Sequence, residues 1–167
     1  MIFSTKRLVI RPIQFTDAKY LYEMNNDREV MRFITTGPFK EVAMETVIEA
    51  IKKRLTYYEE HPRFGLWMID LESTPVGWLV LRFNDEVGGY EIGYRLRRFY
   101  WQQGIMTEAC LGLIEYARAL DVKSVYAVAL NENIASIGVM KKIGMTFDRN
   151  DTLYNENVDV YRMDLCV

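Results

Sequence analysis

The sequence predicts an α/β fold built on a mixed, mostly antiparallel sheet of about six or seven strands, with helices on both faces. Three observations support this fold class: two amphipathic helical patterns early in the chain, a hairpin pattern in its middle, and one strand–helix–strand unit after it. A hairpin joins antiparallel strands, whereas a crossover helix joins parallel ones. The sheet is therefore expected to contain both kinds of pairing.

The first third of the chain predicts one strand and two helices. Residues 6–13 alternate like a strand, which stops at Pro12 and the polar Gln14. Thr16 is predicted to cap a helix whose apolar residues are Ala18, Leu21, Tyr22 and Met24. After a turn at residues 35–38, a second helix is predicted by the apolar stripe Met44, Val47, Ile48, Ile51, Leu55 and Tyr58.

The rest of the chain alternates strands with two further helices. Residues 64–70 and 76–83 indicate a hairpin around Ser73-Thr74-Pro75, and a fourth strand follows the loop from Asn84 to Gly89. A helix begins near Ile105, because apolar residues then recur on one stripe as far as Leu120. Beyond it the pattern predicts a strand at 124–130, a helix at 133–143, and strands near 146–148 and 159–165.

Composition indicates one domain over residues 1–167. A chain of 167 residues can bury roughly 70% of its unfolded surface in a single core. No apolar run approaches the roughly 18 residues of a membrane span, and no secretory signal precedes the first strand, so a cytoplasmic protein is expected. The two cysteines make no disulfide framework. A net charge of −2 argues against a nucleic-acid partner.

One turn carries a chemical signal. Trp101-Gln102-Gln103-Gly104 separates a predicted strand from the start of a helix at Ile105. The first N–H groups of a helix have no intrahelical partner, and the positive end of the helix dipole adds to their attraction for an anion. The turn lacks the Gly-Lys-Ser/Thr of a Walker loop and the three glycines of a dinucleotide fingerprint. By itself it predicts only an anion-binding helix N-terminus.

A second segment, from Asn131 through Asn133-Ile134-Ala135-Ser136 to Lys142 and Met145, adds to that signal. Together the two segments resemble the acetyl-CoA-binding core of the GNAT superfamily of N-acetyltransferases, and most closely its RimJ/RimL branch. The opening Thr5-Lys6-Arg7-Leu8-Val9-Ile10-Arg11-Pro12 is similar to the usual start of that branch. The resemblance runs from residue 5 to the C-terminal strand.

The resemblance implies a GNAT fold in which acetyl-CoA lies between two splayed parallel strands. Backbone groups of Tyr94 and Leu96 would pair with the pantetheine arm, and the N–H groups of the glycine turn would hold the pyrophosphate. Gly104 is expected because a Cβ would block the phosphate. Asn133 is expected to bond the pantetheine arm, with a plain helix cap as the alternative. The residues expected to contact acetyl-CoA are Tyr94, Leu96, Gln102, Gln103, Gly104, Ile105, Met106, Thr107, Asn131, Asn133, Ser136 and Lys142.

Two residues are the candidates for catalysis. Glu91 stands where many GNAT members have a glutamate, and it would accept the amine proton through a water; the alternative is a solvated strand carboxylate. Met140 replaces the tyrosine that usually acts as the acid. Ser136 matches the serine of the RimJ/RimL branch and would hydrogen-bond the leaving thiolate, unless it merely bonds back to the preceding turn. Tyr94 or Tyr161 could supply the missing acid.

The acceptor is expected to be an amine bound between the early helices and the Asn84–Gly89 loop, whose acidic residues attract a cation. The residues expected to line its site are Phe33, Thr35, Thr36, Gly37, Asp85, Glu86 and Glu91. A weakly equipped site favours an α-amine of a protein, peptide or amino acid, with a polyamine or aminoglycoside-like amine as the alternative. An acetyl-CoA-binding protein without turnover is the alternative of another class. One histidine and two distant cysteines predict no metal site. A homodimer is left open.

Overall fold

The computed structural model describes residues 1–34 and 38–165 of the chain, which form eight strands and five α-helices. The strands are β1 (Phe3–Ser4), β2 (Leu8–Pro12), β3 (Gly65–Leu71), β4 (Thr74–Asn84), β5 (Gly89–Leu96), β6 (Ser124–Leu130), β7 (Thr146–Leu153) and β8 (Glu156–Asp164). The α-helices are α1 (Ala18–Asn26), α2 (Arg28–Met31), α3 (Met44–Glu60), α4 (Ile105–Ala119) and α5 (Ile134–Lys142). None of the described helices is both long and apolar enough to cross a membrane.

All eight strands belong to one sheet, in the order β1-β2-β3-β4-β5-β6-β8-β7. Neighbouring strands are antiparallel except for β5 and β6, which α4 joins as a crossover. The predicted α/β fold class, with a mostly antiparallel mixed sheet, is confirmed. The strand count is eight because the two-residue β1, which pairs Phe3 with Ile10, gave no recognisable pattern in the sequence.

Each face of the sheet packs against its own helices and forms a separate hydrophobic core. On β3, Trp67 and Ile69 pack beneath α4 and α5, whereas Leu66 and Met68 pack beneath α1, α2 and α3. We call these sides the α4 face and the α3 face. Alternate residues of a strand point to opposite faces, so each central strand must be apolar on both. Cys110, on α4, is fully buried in the first core, and burial raises the pKa of its thiol.

Four local predictions were wrong or incomplete. The residue that caps α1 is Asp17 rather than Thr16, because a 3₁₀ turn at Phe15–Asp17 precedes the helix. The β3–β4 hairpin turns at Glu72 and Ser73, both with positive φ, so Thr74 and Pro75 belong to β4. The short α2, capped by Asp27, was missed. β7 and β8 are longer than predicted, because the edge strand β7 is polar and largely exposed.

Candidate active site

The parallel strands β5 and β6 are in register only where Tyr90 lies opposite Val125 and Glu91 opposite Tyr126. By contrast, β4 and β5 stay paired over the whole length of β5. Beyond Glu91 the two parallel strands therefore part, and one edge of each is left without a ladder partner within the described chain. The predicted splay is present, and it opens between the first turns of α4 and α5.

The turn before α4 presents a run of free backbone donors. From Gln102 to Thr107, no backbone N–H donates a hydrogen bond to the described protein, and the first helical bond runs from Glu108 N to the Gly104 carbonyl at 3.0 Å. Gly104 is the N-cap of α4 with φ of 72°, in the left-handed region. Such a row of N–H groups at a helix N-terminus suits a phosphate. This arrangement supports the predicted anion-binding turn.

The requirement for glycine at position 104 comes from the backbone rather than from crowding by the protein. A Cβ built there would meet only Arg7 Nη2, at 3.8 Å. A side chain would instead be strained by the positive φ, and it would project into the space in front of the exposed turn. Glycine is therefore favoured for two reasons: it adopts the positive φ without strain, and it leaves the space in front of the turn open for a phosphate.

Arg7 anchors this turn, a role that no pattern in the sequence predicted. Its guanidinium donates to the Gln103 carbonyl at 3.2 and 3.3 Å and pairs with Glu108 in the first turn of α4 at 2.6 Å. The Thr5 hydroxyl also donates to Glu108. Burial opposes ionisation of Glu108, but hydrogen bonds from Thr5 and Arg7 prevail and lower its pKa. The N-terminal segment thus fixes the shape of the turn that is predicted to bind an anion.

The structure bears on two of the predicted contacts with acetyl-CoA, those of Met106 and Leu96. The Met106 side chain is buried in the core of the α4 face, so it points away from the turn as its N–H group requires. The Leu96 carbonyl already accepts a hydrogen bond from the Trp101 indole at 2.9 Å. Leu96 therefore offers fewer free backbone groups to a pantetheine arm than expected.

At the start of α5, Asn133 and Ser136 are held by a local network. Asn133 caps the helix, because its side-chain oxygen accepts from Ser136 N at 3.2 Å. The helix-cap alternative is therefore correct for the oxygen, while the Asn133 amide nitrogen makes no hydrogen bond to the described residues. The Ser136 hydroxyl does not bond back to the preceding turn.

The Ser136 hydroxyl contacts Tyr94 instead. The Tyr94 hydroxyl lies 3.0 Å from the Ser136 carbonyl oxygen and 3.1 Å from its Oγ. Burial raises the pKa of Tyr94, so this hydroxyl stays protonated at neutral pH. Met140 is buried in the core, and Tyr161 packs edge-on against Phe147. Of the two tyrosines considered from the sequence, Tyr94 is the one in contact with Ser136.

Glu91 occupies the α3 face at the point where β5 and β6 part. Its carboxylate accepts from the Asn84 amide at 2.8 Å and from the Tyr154 hydroxyl at 3.2 and 3.3 Å. Arg82 lies 3.6 Å from it, and only 12% of the Glu91 side chain is exposed. Glu91 is therefore a positioned carboxylate rather than a solvated one.

Tyr154 contacts the candidate residue Glu91, and sequence reasoning missed it. It sits in the two-residue turn between β7 and β8, with positive φ at both Tyr154 and Asn155. The turn folds over the β4–β5 loop, because Tyr154 N also donates to Glu86 at 3.4 Å. Burial and the nearby Glu91 carboxylate raise the pKa of Tyr154. The tip of the β7–β8 hairpin therefore contacts Glu91.

The other predicted residues are dispersed. Asp85 and Glu86 are exposed on the β4–β5 loop, and Phe33 is half-buried after α2 beneath the Arg32 guanidinium. Thr35, Thr36 and Gly37 lie outside the described residues. Asn131 and Lys142 are both exposed, and they stand at opposite ends of α5.

Comparison with known proteins decides the family. A family model described as an acetyltransferase (GNAT) domain matches residues 7–146. The chain is also 32% identical over 146 residues to YnaD, an uncharacterized N-acetyltransferase of Bacillus subtilis, over 87% of this chain and 82% of YnaD. The chain belongs to the GNAT acetyltransferase family. It is an enzyme of the N-acetyltransferase class.

Solved GNAT structures share this fold. An acetyltransferase of the family from Bacillus anthracis has a TM-score of 0.82 at 24% identity, and the match covers 97% of both chains. The ribosomal L7/L12 α-N-protein acetyltransferase RimL, solved in complex with coenzyme A, has a TM-score of 0.81 at 17% identity, over 98% of this chain and 97% of RimL. The GNAT fold inferred from the two sequence segments is confirmed.

Proposed function

We propose that this GNAT enzyme transfers an acetyl group from acetyl-CoA directly to the α-amine of a protein, peptide or amino acid. The observation that carries the proposal is the parting of β5 and β6 beyond Glu91. The Tyr94–Ser136 contact lies on the α4 face of this gap, and Glu91 lies on the α3 face. A donor entering from one face and an acceptor from the other would meet between them.

The donor side of the proposal rests on the backbone. The free N–H groups from Gln102 to Thr107 would hold the pyrophosphate, and the unpaired edges of β5 and β6 would bond the pantetheine amides. The free amide nitrogen of Asn133 would donate to the same arm. RimL, whose structure contains coenzyme A, shares the fold and supports this placement.

Tyr94, Ser136 and Glu91 would divide the proton transfers. As the carbon–nitrogen bond forms and the carbon–sulfur bond breaks, the amine loses a proton and the thiolate gains one. Glu91 would accept the amine proton through a water, and the Tyr94 hydroxyl would donate towards the thiolate with Ser136 beside it. Tyr94 would take the place of the tyrosine that Met140 replaces, but burial raises its pKa and its hydroxyl donates to the Ser136 carbonyl, so its role would be a hydrogen bond to the thiolate rather than complete proton donation.

The preference for an α-amine rests on the acceptor side. Only a neutral amine attacks, and at pH 7 deprotonation costs about 1.4 kcal/mol for an α-amine but about 4.6 kcal/mol for a lysine-like amine. A single carboxylate such as Glu91 suits the smaller cost. In addition, Arg54 and Arg95 lie on the α3 face without ion pairs among the described residues, and their charges oppose a polycation. Polyamines and aminoglycosides are therefore weaker candidates.

An acetyl-transfer screen tests the proposal. Matched peptides should carry either a free α-amine with a blocked lysine or a blocked α-amine with a free lysine, and a polyamine and an aminoglycoside should complete the panel. We expect the highest kcat/KM on the free α-amine. Greater efficiency on the lysine amine or the polyamine would overturn the acceptor class. Binding of acetyl-CoA with no thiol release for any amine would support the non-catalytic alternative.

A further inference from the structure

Arg95 is a partly buried cation on the α3 face, and it has no carboxylate partner among the described residues. Its Nη1 donates to the Asn25 side-chain oxygen at 2.6 Å, and its guanidinium carbon lies 5.0 Å from the centre of the Trp78 ring. Its Nε is buried and makes no hydrogen bond. Nη2 also makes no hydrogen bond to the described residues but is not buried, so it is the guanidinium nitrogen that a carboxylate can reach.

A second arginine, Arg54, adds positive charge close to Arg95. Arg54 on α3 donates to the Ala50 carbonyl at 3.0 Å, and neither Arg54 nor Arg95 forms an ion pair among the described residues. Burial and the neighbouring charge of Arg54 lower the pKa of Arg95 to about 10. Arg95 is still a cation at neutral pH, and an unpaired, partly buried cation is less favourable than the same cation with an anion bound.

The α3 face is therefore polar along β5. Glu91, Gly93 and Arg95 point to the same side of the strand, beyond the place where β6 departs. A Cβ at Gly93 would lie 2.9 Å from Val80. Because Gly93 has no side chain, none projects from β5 between Glu91 and Arg95 on this face. The acidic residues Asp85 and Glu86 lie at the Glu91 end. The Glu91 end of this strand surface suits an amine, and the Arg95 end suits an anion.

We infer that the acceptor carries a carboxylate a few residues from its amine and that Arg95 binds this carboxylate through Nη2. The inference rests on the proposed α-amine acetylation and specifies its substrate class. The Cα atoms of Glu91 and Arg95 are about 13 Å apart along an extended strand, at roughly 3.3 Å per residue. This span exceeds the separation of the amine and carboxylate in a free α-amino acid. An acidic side chain within the first few residues of a peptide fits it better.

The experiment compares carboxylate and amide acceptors in matched pairs. Amidated peptides with a free N-terminus should carry Asp or Asn at position one, two or three, and short peptides with a free or an amidated C-terminus distinguish a terminal carboxylate from a side-chain one. The enzymes compared are the wild type, Arg95→Gln, Arg95→Lys and the control Arg118→Gln. Arg118 is an exposed arginine near the far end of α4.

We expect the wild type to prefer the best-placed Asp peptide by roughly tenfold to a hundredfold in kcat/KM, the range for hydrogen bonds to a charged group. Arg95→Gln should reduce this preference to below threefold without changing acetyl-CoA binding, Arg95→Lys should retain a part of it, and Arg118→Gln should retain it fully. Equal acetylation of Asp and Asn peptides by the wild type would overturn the inference and leave the acetyltransferase proposal intact. Retention of the preference by Arg95→Gln would overturn the role of Arg95. Failure of every free α-amine would overturn both proposals.

Discussion

The Tyr94 hydroxyl contacts the Ser136 side chain at 3.1 Å, although the two residues are 42 positions apart in the chain. The contact joins β5 to the first turn of α5 across the gap between the parallel strands. A serine hydroxyl alone is a poor acid, and burial raises the pKa of Tyr94, so both hydroxyls are hydrogen-bond donors rather than ready acids. The pair therefore has the properties required of the group that stabilises a leaving thiolate.

We predict that Tyr94→Phe and Ser136→Ala each lower kcat more than they weaken acetyl-CoA binding. General acid–base groups typically contribute about 10²–10⁴-fold to the rate. Because the two hydroxyls are in contact, the double variant should lose less than the product of the single losses. Steady-state kinetics and a direct measurement of acetyl-CoA affinity separate the two effects.

Tyr161→Phe is the matched control for this prediction. Tyr161 is as buried as a core residue, packs edge-on against Phe147, and its hydroxyl makes no hydrogen bond to the described residues. Its kcat should stay within about threefold of the wild type. If Tyr94→Phe behaved like Tyr161→Phe, Tyr94 would be reduced to a structural role, and a loss below threefold for Ser136→Ala would do the same for the serine.

Glu91 gives a second prediction, because three side chains hold its carboxylate. Glu91→Gln should lower kcat by about 10²-fold or more, since the amide cannot accept the amine proton. Tyr154→Phe removes one of the hydrogen bonds to the carboxylate and leaves the base in place, so we expect a loss of about threefold to tenfold. The KM for acetyl-CoA should change little in both variants. A larger loss for Tyr154→Phe than for Glu91→Gln would assign the tyrosine a direct part in the reaction.

Gly104 gives a third prediction, for which the chain offers a matched glycine. Gly104→Val combines backbone strain at positive φ, on the order of 1–2 kcal/mol or more, with a side chain in the path of the phosphate. Gly88→Val carries the same strain, with φ of 76° and no atom within 4 Å of its added Cβ, and it lies in the β4–β5 loop rather than in the turn before α4. Both variants should lose stability, but only Gly104→Val should lose acetyl-CoA affinity. Unchanged affinity in Gly104→Val would show that the donor binds elsewhere.

The parts of the site that the sequence predicted are those encoded within one segment. The glycine turn, the Asn133 cap and Ser136 each depend on spacings of a few residues, so the motif and the local structure contain the same information. Glu91 could be placed on β5 by its distance from the turn, but not the hydrogen bonds that hold it. The helical stripes of α3 and α4 were equally local and were predicted correctly.

What the sequence could not predict depends on contacts between distant segments. Tyr154 reaches Glu91 across 63 positions, and Arg7 reaches the turn at Gln103 across 96. No periodicity marks either residue, because each acts through a side chain at a strand end or a turn. The missing partner of Arg95 is also a tertiary property, because only the folded chain shows that no described carboxylate forms an ion pair with it and that its buried Nε has no hydrogen-bond partner.

Arg11 gives a prediction about stability that is separate from catalysis. Its guanidinium binds Asp17 through two hydrogen bonds of 2.8 Å and Asp70 through bonds of 2.6 and 3.1 Å, so it ties β2 and β3 to the start of α1. Asp17 is only 1% exposed and also accepts from Gln14 N. Hydrogen bonds from Arg11 to Asp17 are the main reason that the pKa of Arg11 is raised.

Arg11→Met should therefore lower the free energy of unfolding by about 3–5 kcal/mol, because it leaves the Asp17 carboxylate buried without a cation. Replacing Asp17 by Asn in the same chain removes that charge and should recover a part of the loss, whereas Asp17→Asn alone should be destabilising. Urea unfolding of the four proteins gives the coupling energy between the two residues. Additive losses would mean that Arg11 stabilises the fold mainly through Asp70 and its own packing, and that the buried carboxylate does not depend on it.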